Sequence, residues 1–412
     1  MKAYAVIGMN YGDEGKGHIV NFLSDENTLV VRYNGGAQAA HTTELSDGRK
    51  HVFRHFGSGT LKGARTLLGK HFIVNPLAFV KELEILMKIH PSIKEVLIDP
   101  TCRVTTPYDM LINEYNSKRR GANDTCGMGI NETVERSMFR DLRIVARDLL
   151  DKSDEQLLKI LKVIENEYIP HRLEELKIEK KDFKEYAKDK IFSDDMETSF
   201  IKCSRWVAEN SAVWSEDQVV DRYLNKAPGR KVIFEGAQGM LLDQYRKEFF
   251  PYLTRSTTGI RNASRLLSKL KTPIQLEVNL VSRVYLSRHG DGPLWNKVDG
   301  VPYKKVNDPT NPENPYQGKI RYGYLNTEWP KQAFKETEER LKKDGISHYT
   351  IQTAATCIDQ LDAWNEEYPL DSEVKAGLGK MEPVFLPLKS VLPNIGIIST
   401  GRNESNIKRI DK

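Results

Sequence analysis

Gly8-Met9-Asn10-Tyr11-Gly12-Asp13-Glu14-Gly15-Lys16-Gly17 sets glycines, two carboxylates and a lysine between an apolar run and a helix-forming segment. Such glycines let backbone N–H groups curl round phosphate oxygens, and the N-terminus of the following helix adds a favourable dipole. Lys16 supplies a point charge for a β- or γ-phosphate. The spacing is not that of a Walker A loop. Six residues separate Gly8 from Gly15 where four are expected, and Gly17 stands where a Ser or Thr would hold Mg²⁺. Asp13, a hard oxygen ligand inside the loop, could take over that role. By itself the segment reads equally well as a Gly-rich turn carrying surface charges.

Two further clusters share this character. Asn34-Gly35-Gly36-Ala37-Gln38-Ala39-Ala40-His41-Thr42 follows a second apolar run. His41 could act as an acid near neutral pH, or serve only as a structural histidine in a turn. Glu235-Gly236-Ala237-Gln238-Gly239 follows a third run and leads on to Thr254-Arg255-Ser256-Thr257-Thr258, whose amides and hydroxyls suit neutral hydrogen bonding to a nucleotide. Adjacent strand ends of a parallel sheet share one mouth, where ligands bind, so His41 would face the phosphate loop.

The elements needed to gather these clusters are legible as periodicity. Ala3–Ile7, Thr28–Tyr33, Val96–Ile98, Lys231–Phe234, Ile274–Tyr285 and Ile395–Ile398 predict strands; residues 16–23 and 77–89 predict helices. The strand–loop–helix–strand opening predicts an α/β fold: a central, mostly parallel sheet flanked by helices. Residues 1–412 read as a single domain with a charged helical insertion at about 139–225. The Gly-, Pro- and Asn-rich stretch 290–318 predicts a long loop, of the kind that is usually functional or mobile.

Composition narrows the function classes. Hydrophobic residues at 39% and charged residues at 29% argue for a folded chain. Net charge is +5, and basic and acidic residues interleave through 151–225 where a nucleic-acid binder would segregate them on one face. No apolar run reaches membrane-spanning length, and no signal peptide is apparent at the N-terminus. Four scattered cysteines without a C-x-x-C pair fit a reduced, cytoplasmic setting and no zinc site. A P-loop-like switch or motor would need the Walker Ser or Thr that Gly17 replaces.

Taken together and in this order, G-D-E-G-K-G, G-G-x-x-A-x-H-T and E-G-A-Q-G-x-L-L-D resemble the adenylosuccinate synthetase family, and the likeness runs to Ser399-Thr400-Gly401. The resemblance implies a ligase that activates purine C6. O6 attacks the γ-phosphate of a nucleoside triphosphate, and the amine of L-aspartate then displaces phosphate from C6. It implies Asp13 as the base that takes the N1 proton, His41 as the acid, and Lys16 and Gln238 beside them. Mg²⁺ would be held near Asp13 and the Ala40 carbonyl. Gly12, Asp13, Glu14, Gly15, Lys16, Gly17 and Thr42 match the triphosphate loop, with Arg321 a further contact. Asp359, Ser399 and Gly401 match the segments that read the triphosphate's base.

For the purine monophosphate the resemblance points to Asp13, Gln38, Thr125, Cys126, Gln238 and Thr254, and to Arg140 from the partner subunit of a homodimer. Arg136 and Arg143 lie close enough to blur that register. Lys319 and Arg321 match the aspartate loop. Several positions depart from the family pattern. Gln38 replaces Asn, Cys126 replaces Thr, and Cys357 replaces the lysine that covers guanine, which makes ATP (or dATP) plausible beside GTP. These departures, with His51-Val52-Phe53-Arg54-His55-Phe56-Gly57-Ser58-Gly59, resemble the bacteriophage 2-aminoadenylosuccinate synthetase branch. That branch uses dGMP in place of IMP and serves 2-aminoadenine DNA synthesis. The expected partners are therefore dGMP or IMP, L-aspartate and a nucleoside triphosphate, with neither nucleic acid nor membrane.

Overall fold

Ala3–Ile7, buried on both faces as an apolar run without alternation requires, lies within the central strand of a ten-stranded sheet. The computed structural model describes residues 2–122, 125–188, 195–225, 229–270, 273–311, 313, 316–378 and 382–410. In chain order the sheet strands are β1 (Lys2–Gly8), β2 (Thr28–Arg32), β3 (Arg65–Leu68), β4 (Val96–Ile98), β5 (Ser211–Val213), β6 (Lys231–Gly239), β7 (Gln275–Arg283), β8 (Tyr349–Thr356), β9 (Ile395–Ser399) and β10 (Ile407–Arg409). Their spatial order is β10-β9-β8-β7-β1-β6-β2-β3-β4-β5. Every neighbouring pair is parallel except β9–β10. The C-terminal ends of β1, β2, β6, β7, β8 and β9 therefore share one edge of the sheet. Each sequence cluster singled out above follows one of those ends.

The helices flank this sheet. α1 (Lys16–Leu23) follows the phosphate loop directly. α2 (Pro76–Ile89) starts where the Asn75 side chain accepts from the Ala78 N–H and Pro76 presets the first turn. α3 (Pro107–Arg120) has a reciprocal Thr106–Asp109 capping box and stops at Gly121 in the left-handed region. After α4 (Ile130–Arg136), the region expected to be helical contributes helices at Ala146–Asp151, Asp154–Val163, Ile169–Glu175, Lys180–Lys188, Asp195–Glu209 and Glu216–Asn225. It also sends β5 to the sheet edge, a short strand whose Ser211-Ala212-Val213 lacks a bulky apolar run to mark it. Its buried face (Leu157, Leu161, Ile164, Phe200, Val207) packs with Phe79, Leu83 and Leu86 of α2, forming a core separate from the one built on β1, β6 and β7.

Between Leu286–Arg288 and Arg321–Gly323, which pair antiparallel, the described residues form no helix or strand, as the composition of 290–318 predicts. Among the described residues no helix is long and apolar enough to cross a membrane.

Candidate active site

Beyond Gly8 the chain turns through Gly12 (φ 97°), Asp13 (φ 59°) and Gly15 (φ 92°) before α1 begins. Asp13 is held in this left-handed conformation from outside the loop. Its carbonyl accepts from Arg283 Nε at 2.5 Å, and Arg283 is paired with Asp308 at 2.6 Å. The Asp13 carboxylate is about one-third exposed and lies 3.7 Å from His289 Nε2. Glu14 folds back into the loop. Its Oε1 accepts from the Asn10 and Gly12 N–H groups at 2.8 and 3.0 Å, and its Oε2 meets Lys16 Nζ at 2.9 Å. Both side chains are buried, so Glu14 braces the loop and neutralises Lys16. Gly17 stands where a Walker loop has Ser or Thr for a packing reason. A Cβ there would lie 2.7 Å from His41 Cβ and 2.8 Å from Ser58 Oγ.

His41 opens a hairpin (His41–Glu44 with Lys50–Phe53) that delivers it to the loop. Its Nδ1 lies 2.5 Å from Oε1 of Glu235, a fully buried residue of β6. Glu235 also accepts from the Ser58 N–H at 3.0 Å and from the Ser58 hydroxyl. Burial alone would raise the Glu235 carboxyl, but the Arg32 charge and the His41 and Ser58 hydrogen bonds hold it at about 2. Burial pushes His41 below the ordinary imidazole range, while Glu235 opposes that shift. The pairing fixes the tautomer: Nδ1–H faces the ionised carboxylate, and Nε2 remains for a ligand. The second and third clusters are locked together where Asn34 exchanges hydrogen bonds with Ala237, its Nδ2 to the carbonyl and its Oδ1 from the N–H.

A cavity of about 620 Å³ opens on these groups. Of the residues expected in the site, Asp13, Glu14, Gly15, Lys16 and Gly17 line it from the phosphate loop. Gln38, Ala40, His41 and Thr42 line it from the second cluster, and Cys126, Gln238, Ser399 and Gly401 complete the set. Both polar atoms of the Gln38 amide are buried without a hydrogen-bond partner. Other expected residues are engaged elsewhere. The Gly12 N–H serves Glu14. Thr125 donates to Asn113 Oδ1 at 2.5 Å, and the neighbouring Asp124 lies outside the described residues. Thr254 is half-buried and its N–H donates to the Leu242 carbonyl. Lys319 is exposed and 3.7 Å from Glu313. Arg321 donates to the Gly290 and Gly292 carbonyls. Asp359 is half-buried beside the cavity-lining Cys357 and Gln360. Of the three arginines near the expected cross-subunit position, Arg136 is fully buried on Asp109, Arg143 donates to the Ser137 carbonyl, and Arg140 is exposed.

Among the described residues no three His, Cys, Asp or Glu side chains gather to hold a metal ion. Asp13 nevertheless offers a hard carboxylate at the cavity wall near the exposed Ala40, which suits an ion whose remaining ligands are phosphate oxygens and water. The residues missed in the sequence are Glu235, Arg283, His289, His18 and Arg54. Glu235 did leave a signal, as a carboxylate closing the apolar run Val232-Ile233-Phe234. Arg54 lay within the run His51–Gly59, and Arg283, His289 and His18 carried no signal.

A family profile described as adenylosuccinate synthetase matches residues 5–347. The adenylosuccinate synthetase of Borrelia turicatae is 32% identical over 315 residues, covering 75% of this chain and 67% of that protein. That of Thermoplasma acidophilum is 29% identical, covering 74% and 66%, and that of Bacillus subtilis 31%, covering 71% and 64%. The matches thus span about two thirds of the length of these curated relatives. Among solved structures, fully ligated adenylosuccinate synthetase from Plasmodium falciparum superposes with a TM-score of 0.71 at 19% identity, covering 100% of both chains. Cyanophage S-2L succinoaminodeoxyadenylate synthetase bound to dGMP and dATP gives 0.61 at 12%, covering 99% of this chain and 95% of that one. At these identities the likeness is one of fold.

Proposed function

This chain belongs to the adenylosuccinate synthetase family, and from that premise we propose that it is a carbon–nitrogen ligase joining L-aspartate to C6 of dGMP, driven by ATP. The observation that carries the reaction type is the convergence of Asp13, Lys16 and His41 on one cavity, from the ends of β1 and β2 on either side of β6, with His41 backed by Glu235 of β6 itself. Asp13 removes the N1 proton as O6 attacks the γ-phosphate, which leaves ADP and a 6-phosphoryl nucleotide. The aspartate amine then attacks C6 and phosphate departs. His41, carrying a proton on Nε2 as an imidazolium that the Glu235 carboxylate stabilises, donates from Nε2 to the charge developing on O6. Asp13 and the Ala40 carbonyl would hold Mg²⁺, which when bound supplies positive charge to the phosphate oxygens. Gln38 and Gln238 orient the monophosphate, and Ser399 and Gly401 read the triphosphate's base. Arg140 is surface-exposed beside the equally exposed Met138 and Phe139, which supports its donation across a homodimer interface.

The choice of dGMP and ATP rests on Gln38, Cys126 and Cys357, the positions where this chain leaves the family pattern around both purines. A reading with IMP and GTP is favoured by the named curated relatives, which are adenylosuccinate synthetases. The discriminating experiment offers dGMP, GMP, IMP and AMP separately, each with ATP, dATP or GTP, Mg²⁺ and aspartate, and follows the 6-succinyl product by mass. Turnover of dGMP with ATP is expected. Turnover of IMP with GTP, and none of dGMP, would overturn the substrate assignment and leave the ligase chemistry standing.

A further inference from the structure

Arg54 lines the cavity and takes no part in the chemistry assigned to Asp13, Lys16 and His41. It follows the second strand of the hairpin, and its backbone is fixed from below. Glu82, a buried residue of α2, collects three consecutive N–H groups, those of Arg54, His55 and Phe56, at 2.9, 2.7 and 3.3 Å. The guanidinium is fixed from the side, with Nη1 donating to the Ala37 carbonyl at 2.8 Å. That contact sets the charge next to Gln38, whose buried amide has no partner. Cys126 and Met128 line the same cavity as Arg54, and the Arg54 charge is felt at the Cys126 thiol.

Of the other cations lining the cavity, Lys16 is compensated by Glu14 at 2.9 Å and Arg283 by Asp308 at 2.6 Å, while Arg402 is exposed beside Gly401 on the triphosphate-base side. Among the described residues no carboxylate pairs with Arg54, and its one hydrogen bond leaves most of its donors unused. A half-buried, pre-oriented guanidinium with unused donors matches a phosphate, which it can take in a two-pronged geometry. Cys126 weakens the hydroxyl contact expected from its loop, so a cation at this place would restore binding that the thiol does not supply.

We propose that Arg54 binds the 5′-phosphate of the purine monophosphate, giving this subsite a cation from its own chain. The assignment rests on the ligase reading for the identity of the ligand. It makes the monophosphate subsite less dependent on an arginine from a partner subunit.

The test compares affinities by calorimetry for dGMP, IMP and the corresponding nucleosides in wild type, Arg54→Gln and Arg54→Lys, with the KM for ATP measured alongside. Gln retains a donor for the Ala37 carbonyl and removes the charge, and Lys keeps the charge without the fork. Thermal unfolding establishes that each variant is folded. In Arg54→Gln, monophosphate affinity should fall by about 10- to 100-fold, the scale of a charge-assisted hydrogen bond, with nucleoside affinity and the KM for ATP unchanged. Arg54→Lys should be intermediate. If Arg54→Gln keeps the full preference for monophosphate over nucleoside, or if wild type shows no such preference, the assignment is overturned. Binding is read without turnover. Wild type that prefers monophosphates through Arg54 yet forms no succinyl product would remove the ligase reading and leave this assignment intact.

Discussion

The wall formed by the phosphate loop and the His41 hairpin differs in construction from the segments beside the cavity at 125–130 and among the described residues of 290–323. In the first, each chemical group is backed by a buried partner: His41 by Glu235 on β6, Lys16 by Glu14 within the loop, and the Asp13 backbone by Arg283 at the end of β7. In the second, the polar groups satisfy one another. Thr125 serves Asn113, Arg321 serves the Gly290 and Gly292 carbonyls, and Lys319 lies near Glu313. The reacting groups are thus positioned by the sheet before any ligand arrives, whereas substrate-reading groups on loops must exchange internal contacts for ligand contacts. Substitutions in the first wall should therefore act on turnover, and those in the second on KM.

The largest effect belongs to Asp13. Asp13→Ala should lower turnover by about 10²- to 10⁴-fold, the range for a general base, with nucleotide affinity measured by calorimetry largely retained. Unchanged turnover would exclude Asp13 as the base. His41→Asn should cost about 10²-fold or more in kcat. Glu235→Gln should cost less and carry a pH signature. Removing the carboxylate charge takes away the influence that opposes burial at His41, so the imidazole gives up its proton more readily. The limb on which activity falls with rising pH should then move to lower pH, and a profile that merely drops in height would assign Glu235 to packing.

In the segments beside the cavity, Arg321→Ala should raise the KM for aspartate by about tenfold, the scale of one charge-assisted hydrogen bond, with kcat less affected. A loss confined to kcat would mean that Arg321 acts at the polyphosphate, and the division would fail there.

The same division explains what the sequence revealed. β1, α1 and the strand ends carrying Gln38–Thr42 and Glu235–Gly239 were legible because apolar runs and glycine turns are local signals. Parallel pairing then obliged those strand ends to meet, so Asp13, His41 and Gln238 could be placed in one site from 225 residues of separation without a contact map. β5 was not legible, since Ser211-Ala212-Val213 lacks the continuous bulky apolar run that marked the equally short Val96–Ile98. Glu82, Arg283 and His289 were not legible because their roles depend on partners far away in the chain, which periodicity does not report. Gly17 was read as a missing Mg²⁺ hydroxyl, whereas the reason for the glycine, the His41 Cβ against it, belongs to tertiary packing.

The smallest effect on catalysis should come from His18, which sharpens the claim that the first wall is built for stability as well as chemistry. His18 is 8% exposed on α1, with Nε2 3.0 Å from Ser399 Oγ and Nδ1 without a hydrogen-bond partner. The Ser399 hydroxyl donates to the Gly401 carbonyl, so its oxygen accepts from Nε2–H and the ring is neutral with Nδ1 bare. Protonation would set an N–H in a buried position with nothing to accept it, and burial holds the pKa at about 4. The unfolded chain titrates near the ordinary 6.5, so between those values it binds more protons than the folded state. The stability is therefore complete above about pH 6.5 and is lost as pH falls toward 4, by roughly 2–3 kcal/mol for a group this buried. The buried carboxylates Glu82 and Glu235, both held at about 2, lose their contribution only below the ordinary carboxylate range and so add nothing to the slope between 6.5 and 4.5. His41 and His55, also lowered by burial, add to the slope in the same direction. Urea unfolding of His18→Gln at pH 7 and pH 5 should show a shallower loss than wild type over that interval, with near-normal turnover at pH 7. An identical loss in both proteins would mean that His18 keeps its proton balance on folding, and the bare Nδ1 would then have an acceptor in solution.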